Sequence, residues 1–251
     1  MGTRLEVALI DVGGTLWPNS WPIRQGDGEG RRARVRAALL GHDLAVVDAL
    51  VDDLLRSSRP GDEARTVSTE ARIVVGAEEL ISGCLTRQGL PHDERSIARI
   101  RRAMAIPIHD RFQPLPGARE LLQAIHDLGL RTFIASNTYW RDADSYWDDF
   151  RALGMAELID GIVTSVDAGH LKPHPAVFRV AMRRAGAPAE RCVVIGNRED
   201  NDVAPALELG MRTILVYPDD PRPDSSRADA VVPDLYECVS ALRNMLETNE
   251  E

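Results

Sequence analysis

The chain reads as an α/β protein, a parallel sheet core with an inserted all-helical segment. Three observations predict this. From Leu115 onward, short apolar runs alternate with helical periods, which is the grammar of a parallel sheet covered on both faces. Between about residues 17 and 112 the apolar spacing is helical only. Ahead of that segment stands one isolated apolar run, Val7-Ala8-Leu9-Ile10, short and turn-bounded as a buried strand should be. The expected division is therefore a core of residues 1–16 and 113–251 and a helical cap of residues 17–112.

The first strand ends at Asp11, followed by Val12, Gly13, Gly14 and Thr15. Two glycines there allow a sharp turn and a close approach of backbone to ligand. Arg31 to Arg56 reads as two helices broken near Gly41, with Val35 and Leu39 on one face and Leu40, Leu44, Val47, Leu50 and Leu54 continuing the period. Thr69 is a candidate N-cap for a helix whose stripe is Ile73, Val74, Ala77, Leu80, Ile81, Cys84 and Leu85. A further helix spans Asp93 to Met104. Pro116 opens a helix with Leu121, Leu122, Ile125 and Leu128, closed by Gly129. Strands are expected at 131–135, 161–164, 192–195, 213–216 and 230–232. Helices are expected up to Gly154, over 175–185 and 203–209, and from Leu235 to Met245.

Bulk properties narrow the function. A hydrophobic fraction of 44% in 251 residues supports a sizeable core. The formal net charge of -9 argues against nucleic-acid or anionic-membrane binding, since both need a basic surface. The three cysteines, Cys84, Cys192 and Cys238, are far apart in apolar surroundings and read as reduced core thiols. No run approaches the ~18 apolar residues of a membrane span, and no signal peptide is read at the N-terminus, so a cytoplasmic protein is expected.

Four strand ends carry polar groups: Asp11, Ser136-Asn137, the loop holding Lys172, and Asn197 to Asp202. In a parallel sheet these ends converge on one edge, where open α/β sheets place their ligands. A carboxylate, a hydroxyl, an ammonium and an acidic loop form a set suited to phosphoryl chemistry, because phosphate needs a cation and donors and Mg²⁺ needs oxygen ligands.

The segments VALIDVGGTLW, LPGARELLQAIHDLGLRTFIASNT, GIVTSVDAGHLKPHPAVFRVAM and CVVIGNREDNDVAPALELGMRTILV, in this order and spacing, resemble the four motifs of the haloacid dehalogenase-like hydrolases. The resemblance implies a Rossmann-like core, with the helical insert as the family's cap. It implies Asp11 as nucleophile and Lys172 as the cation beside it. Ser136, Asn137, Gly14 and Thr15 would bind substrate. Asp11, the Gly13 carbonyl, Asn197 and Asp202 would hold Mg²⁺. The implied activity is a phosphatase acting on a small, anionic, phosphorylated metabolite through an aspartyl intermediate.

Two positions depart from the family pattern. Gly13 stands where its phosphatases carry an acid–base Asp, and Asn197 where they carry a metal-binding Asp. Both departures leave open a metal-independent dehalogenase-type hydrolase, or a silent or repurposed member. Substrate assistance or Asp200 is expected to stand in for the missing acid. The run Asp11 to Thr15 also resembles a phosphate loop of sugar kinases, but the second strand-loop such kinases need is not found. Trp17, Trp21, Tyr139, Trp140, Tyr146 and Trp147 are candidates to shape a substrate pocket. Arg24, Arg31 and Arg32 could meet an anion, but more simply read as an exposed helix face. His170 and His174, on either side of Lys172, read more simply as solvated loop residues than as catalytic ones.

Overall fold

The computed structural model describes residues 4–18, 28–57, 77–107, 113–138, 140–218 and 222–247. Trp21, Arg24, Thr69, Ile73, Val74 and Tyr139, named above, lie outside these residues.

Among the described residues, strand β1 (Val7–Ile10) is followed by four helices: α1 (Gly28–Ala38), α2 (Leu44–Ser57), α3 (Ala77–Arg87) and α4 (Glu94–Met104). The chain continues through α5 (Ala118–Asp127), β2 (Arg131–Ser136), α6 (Ala143–Ala152), β3 (Gly161–Thr164), α7 (Ser165–Ala168) and α8 (Ala176–Ala185). It closes with β4 (Cys192–Gly196), a π-helical turn (Glu199–Val203), α9 (Ala204–Glu208), β5 (Arg212–Val216), β6 (Ala230–Val232) and α10 (Leu235–Glu247).

The six strands form one sheet in the order β3-β2-β1-β4-β5-β6, and every pairing is parallel. β1 is central, with Ile10 opposite both Ile134 and Ile195. All four of its residues are fully buried, which explains an uninterrupted apolar run where a half-exposed strand would alternate. Its side chains still alternate between layers. Ala8 and Ile10 pack with α5, α6 and α10, while Val7 and Leu9 pack with α8 and α9. The chain leaves β1 toward β2 on one side and reaches β4 on the other, so the sheet reverses direction beside β1. The carboxyl edge at such a reversal is an open crevice.

Helices α1 to α4 bury a third apolar cluster of their own, built on Val35, Val47, Leu50, Leu54, Ile81, Leu85 and Ile100. Asp93 caps α4 by accepting from the Ser96 amide at 3.0 Å. Two expectations fail at the edge of this module. Leu40 is 84% and Leu44 62% exposed. Helix α1 stops at Ala38 and Gly41 turns the chain at φ +98°, so Leu40 falls off the stripe, and Leu44 faces outward from the first turn of α2. Arg31 is buried and donates to the Met104 carbonyl at 3.1 Å rather than lying on an exposed face. Arg32 pairs with Asp52 at 2.7 Å within the same module. The three cysteines are free and buried, as expected. Among the described residues no helix is long and apolar enough to cross a membrane.

Candidate active site

Asp11 follows the last residue of β1 and is 8% exposed. The chain folds back at once, with the Gly14 amide donating to the Trp17 carbonyl at 2.7 Å. Gly14 sits at φ +83°, and a Cβ there would fall 2.2 Å from Asn197 Nδ2. Glycine is therefore required both for the turn and for the approach of the loops after β1 and β4. Thr15 Oγ1 lies 3.4 Å from Asp11 Oδ2, a long contact that leaves this oxygen lightly held.

The centre of the site is one ammonium between two carboxylates. Lys172 Nζ donates to Asp11 Oδ1 at 2.8 Å, to Asp202 Oδ1 at 2.6 Å and to the Ala135 carbonyl at 2.8 Å. Lys172 is 2% and Asp202 1% exposed. Burial alone would pull the lysine down, but the charges of Asp11 and Asp202 overcome it and hold the ammonium above its ordinary range. Asp202 is pushed up to about 6, first by burial and then by the charge of Asp11, against the pull of Lys172. Two carboxylates share one cation here, so the cluster carries one excess negative charge.

Backbone and side-chain bonds fix these groups. Asp202 Oδ2 accepts from the Arg198 amide at 3.1 Å. A Cβ on Gly196 would lie 2.4 Å from Asp202 Cγ, so β4 must end in glycine for this carboxylate to fold back under the sheet edge. Asn137 clamps the lysine loop by accepting from the Lys172 amide at 2.7 Å and donating to its carbonyl at 3.0 Å. Ser165 ties the same strand end from the other side, through the Thr138 amide at 2.9 Å and carbonyl at 2.7 Å.

Lys172 thus joins Asp11 to Asp202, Thr15 touches Asp11, and Gly14 packs against Asn197. Asn137 is turned to the lysine backbone, and the Ser136 hydroxyl lies 3.0 Å from the Tyr146 hydroxyl. Several expectations need correction. Trp17 is 1% exposed and packs edge-on to Phe150 at 4.8 Å, so it is core rather than pocket wall. Trp140 joins the apolar cluster of the helical module. Asp200 is bound by Arg198 at 3.1 and 3.2 Å on an exposed face, and Glu199 accepts from Ser226 at 2.6 Å, so neither is poised as the missing base. His170 and His174 stack on each other at 3.9 Å. Gly196, Tyr146 and the Arg198 amide are further contributors. Only Tyr146 had a sequence signal, as one of few aromatics; the glycine before Asn197 could have been noticed as a strand end needing close approach.

The donor set bears on a metal. Among the described residues no three His, Cys, Asp or Glu side chains gather as a metal cage. Mg²⁺ does not need one, since it keeps several waters and takes one or two carboxylates plus substrate phosphate. The cluster has a surplus negative charge, and Asn197 Oδ1 is buried and has no hydrogen-bond partner among the described residues. An unpaired buried carbonyl oxygen beside a negative cluster fits a hard cation.

An α/β sheet that reverses beside a strand ending in Asp, with a buried Lys and a second Asp around it, defines a class of hydrolase scaffold. The chain belongs to the haloacid dehalogenase-like hydrolase family, whose signature it matches over residues 5–210. It is 29% identical over 138 residues to the glyceraldehyde 3-phosphate phosphatase of Methanocaldococcus jannaschii, covering 53% of this chain and 58% of that protein. The enzyme of the same name from Methanopyrus kandleri is 25% identical over 230 residues, 80% of this chain and 97% of that protein. Apart from such full-length matches, the chain spans about half the length of the curated relatives it resembles, 58% and 45% in two cases. The crystal structure of a 2-haloacid dehalogenase from Pseudomonas syringae superposes with a TM-score of 0.62 at 23% identity, covering 96% of this chain and 99% of that one. That likeness establishes the fold.

Proposed function

We propose that the chain is a hydrolase that transfers a phosphoryl group from a small phosphorylated metabolite to Asp11 and then to water. One observation carries this reading. Lys172 is buried and fixed at 2.8 Å from Asp11 Oδ1, while among the described residues Oδ2 accepts only a long contact from Thr15. One oxygen is anchored by a cation and the other is presented for attack. The phosphatase names of the relatives from Methanocaldococcus and Methanopyrus support a triose-phosphate-sized substrate.

In the first step Asp11 Oδ2 forms a bond to phosphorus and the phosphorus–oxygen bond to the leaving alcohol breaks. The leaving oxygen takes its proton from water or from the substrate itself, because Gly13 has no side chain to give one. In the second step water attacks the phosphorus of the aspartyl phosphate, inorganic phosphate departs, and the carboxylate of Asp11 is restored. Lys172 offsets the charge that builds on the transferring oxygens, and Ser136 donates to one of them. Asp202 holds Lys172 in place, and Asn137 holds the lysine loop. Asp11, the Gly13 carbonyl and Asn197 Oδ1 would hold Mg²⁺, with Asp202 behind them, and the bound ion would add positive charge against the phosphoryl oxygens. Residues 17–112 act as the cap, and its helices exclude bulk water over the crevice.

A second reading has its own support. Both oxygens of Asp202 are bonded by protein donors, so this carboxylate needs no metal to satisfy it. Metal-independent attack of Asp11 on a carbon bearing halide needs no acid for the leaving group. The deciding experiment assays phosphate release from glyceraldehyde 3-phosphate and p-nitrophenyl phosphate, with and without Mg²⁺, for wild type and Asp11→Asn. Phosphate release that requires Asp11 and rises with Mg²⁺ supports the phosphatase. Chloride release from 2-chloropropionate in chelator would replace it with the dehalogenase. Turnover unchanged by Asp11→Asn removes the covalent route from both.

A further inference from the structure

We propose that Tyr146 is a positioning residue for the Ser136 hydroxyl, and that Arg141 couples Tyr146 to the segment by which the helical module rejoins the sheet. The proposal rests on the reading of Ser136 as a donor to the transferring group. Ser136 ends β2, two residues beyond Ile134, which lies opposite Ile10 of β1, and is 2% exposed. Its Oγ lies 3.0 Å from the Tyr146 hydroxyl. A serine hydroxyl has one proton and two acceptor sites. When the phenol donates to Oγ, the serine proton is left to point at a substrate oxygen. Without the phenol, the serine can rotate and spend that proton on a nearby carbonyl.

Tyr146 belongs to an apolar layer with Phe150, Leu16 and Trp17, where phenylalanine would fill the same volume. A hydroxyl there costs desolvation unless it is bonded, and Ser136 is one partner that satisfies it, with the Arg141 guanidinium a second. Arg141 fixes the ring from the other side. Its guanidinium lies over the Tyr146 ring, 4.5 Å from the centroid. The same group pairs with Asp149, which is 1% exposed, and donates to the Ser145 carbonyl at 3.2 Å and to the Ile106 carbonyl. Its backbone amide donates to Thr138 Oγ1 at 3.1 Å.

Residue 106 lies just after α4, on the return from the helical module. Two more arginines of α4 reach the same helix of the core. Arg101 pairs with Asp142, the N-cap of α6, and Arg102 pairs with Asp148 at 2.8 Å. The module is therefore fastened to α6, the helix that carries Tyr146. Its placement is transmitted through Arg141 and the phenol to a hydroxyl at the reacting edge.

The test is a double-mutant cycle on the full chain. Tyr146→Phe, Ser136→Ala and the double variant are assayed with p-nitrophenyl phosphate, and inorganic phosphate binding is measured by calorimetry on the same proteins. Tyr146→Phe should lower kcat/KM roughly tenfold, mainly through kcat, with little change in the thermal midpoint. In the Ser136→Ala background the same change should cost less than about twofold, because the residue it acts through is gone. Equal losses in both backgrounds, or no loss in wild type, overturn the proposal. If wild type releases no phosphate but Tyr146→Phe weakens phosphate binding only when Ser136 is present, the hydrolase reading falls and the positioning role stands. Absent turnover with unchanged phosphate binding overturns both. Arg141→Lys keeps a charge beside Asp149 but loses the fork to residues 106 and 145. It should lower kcat in the same direction, and an unchanged kcat removes Arg141 from the coupling.

Discussion

The carboxyl edge of the sheet and the helical module both use Asp paired with a basic side chain, but under opposite conditions. In the module, Arg36 grips Asp48 at 2.6 Å and Arg87 grips Asp53 at 2.9 Å, with the arginines 41% and 53% exposed. At the sheet edge, Lys172 bonds Asp11 and Asp202 with all three groups nearly sealed from water. Water screens the first set, so its pairs contribute little and can be lost singly. Nothing screens the second, so each member depends on the others. Burial decides which ionic contacts matter to the molecule.

The largest effect expected from this contrast is at Lys172. Lys172→Met leaves two buried carboxylates facing each other without a cation, which should cost about 3–5 kcal/mol of stability and abolish turnover. Arg36→Met should leave the denaturation midpoint close to wild type. Denaturant melts of the two variants side by side check this, and equal midpoints would break the comparison. The next effect is a gain. Gly13 has a negative or extended φ, and a Cβ there meets nothing within 4 Å. Gly13→Asp can therefore fold without strain and should raise phosphomonoester turnover by about 100-fold, the usual worth of a general acid. An unaltered rate would show that protonation of the leaving group does not limit the reaction.

How far the sequence told this story depends on the range of each contact. Val7 to Ile10 and the carboxylate after them were legible because a buried central strand has a local signature. Lys172 and Asp202 were legible through motif order. Asn137 was read as a substrate ligand, yet both its bonds go to a residue 35 positions away, and no local pattern reports such a pairing. The acidic run after Asn197 read as a loop of spare ligands. It is a π-helical turn in which Asp202 points inward while Arg198 and Ser226 hold Asp200 and Glu199 outside. Trp17 is a pocket candidate in the sequence as a loop aromatic near the expected site, but the turn after Asp11 reverses the chain and the ring packs on Phe150.

A pH series sharpens the electrostatic half of the contrast. Burial and the charge of Asp11 push Asp202 up to about 6 from its ordinary 3.8, against the pull of Lys172. A group raised on folding binds its proton more tightly in the native state. Its contribution is full below 3.8 and is lost as pH rises through about 6. The stability of wild type relative to Asp202→Asn should therefore fall between pH 4 and 7, by on the order of 1–3 kcal/mol. The observable is the difference in urea midpoint at each pH. A difference that is flat, or that grows with pH, would mean that the pull of Lys172 on Asp202 outweighs burial and the charge of Asp11.

Glycines provide the smallest test and the cleanest one, because the same substitution has opposite signs in the two regions. Gly196→Ala puts a methyl 2.4 Å from the Cγ of a buried carboxylate that is bonded on both oxygens. Asp202 cannot swing away without releasing Lys172, so overpacking should cost about 1–3 kcal/mol and lower turnover as well. Gly83 lies inside α3, where the nearest neighbour to a new Cβ is the flexible end of Arg87 at 3.5 Å. Nothing there must move, and the helix loses a residue with too much freedom in the unfolded chain. Gly83→Ala should stabilise by about 0.5–1 kcal/mol and leave kcat unchanged. Thermal midpoints of the two variants measure both signs at once. A stabilising Gly196→Ala would mean that Asp202 is not pinned, and with it would go the view that this edge is a set of mutually dependent charges.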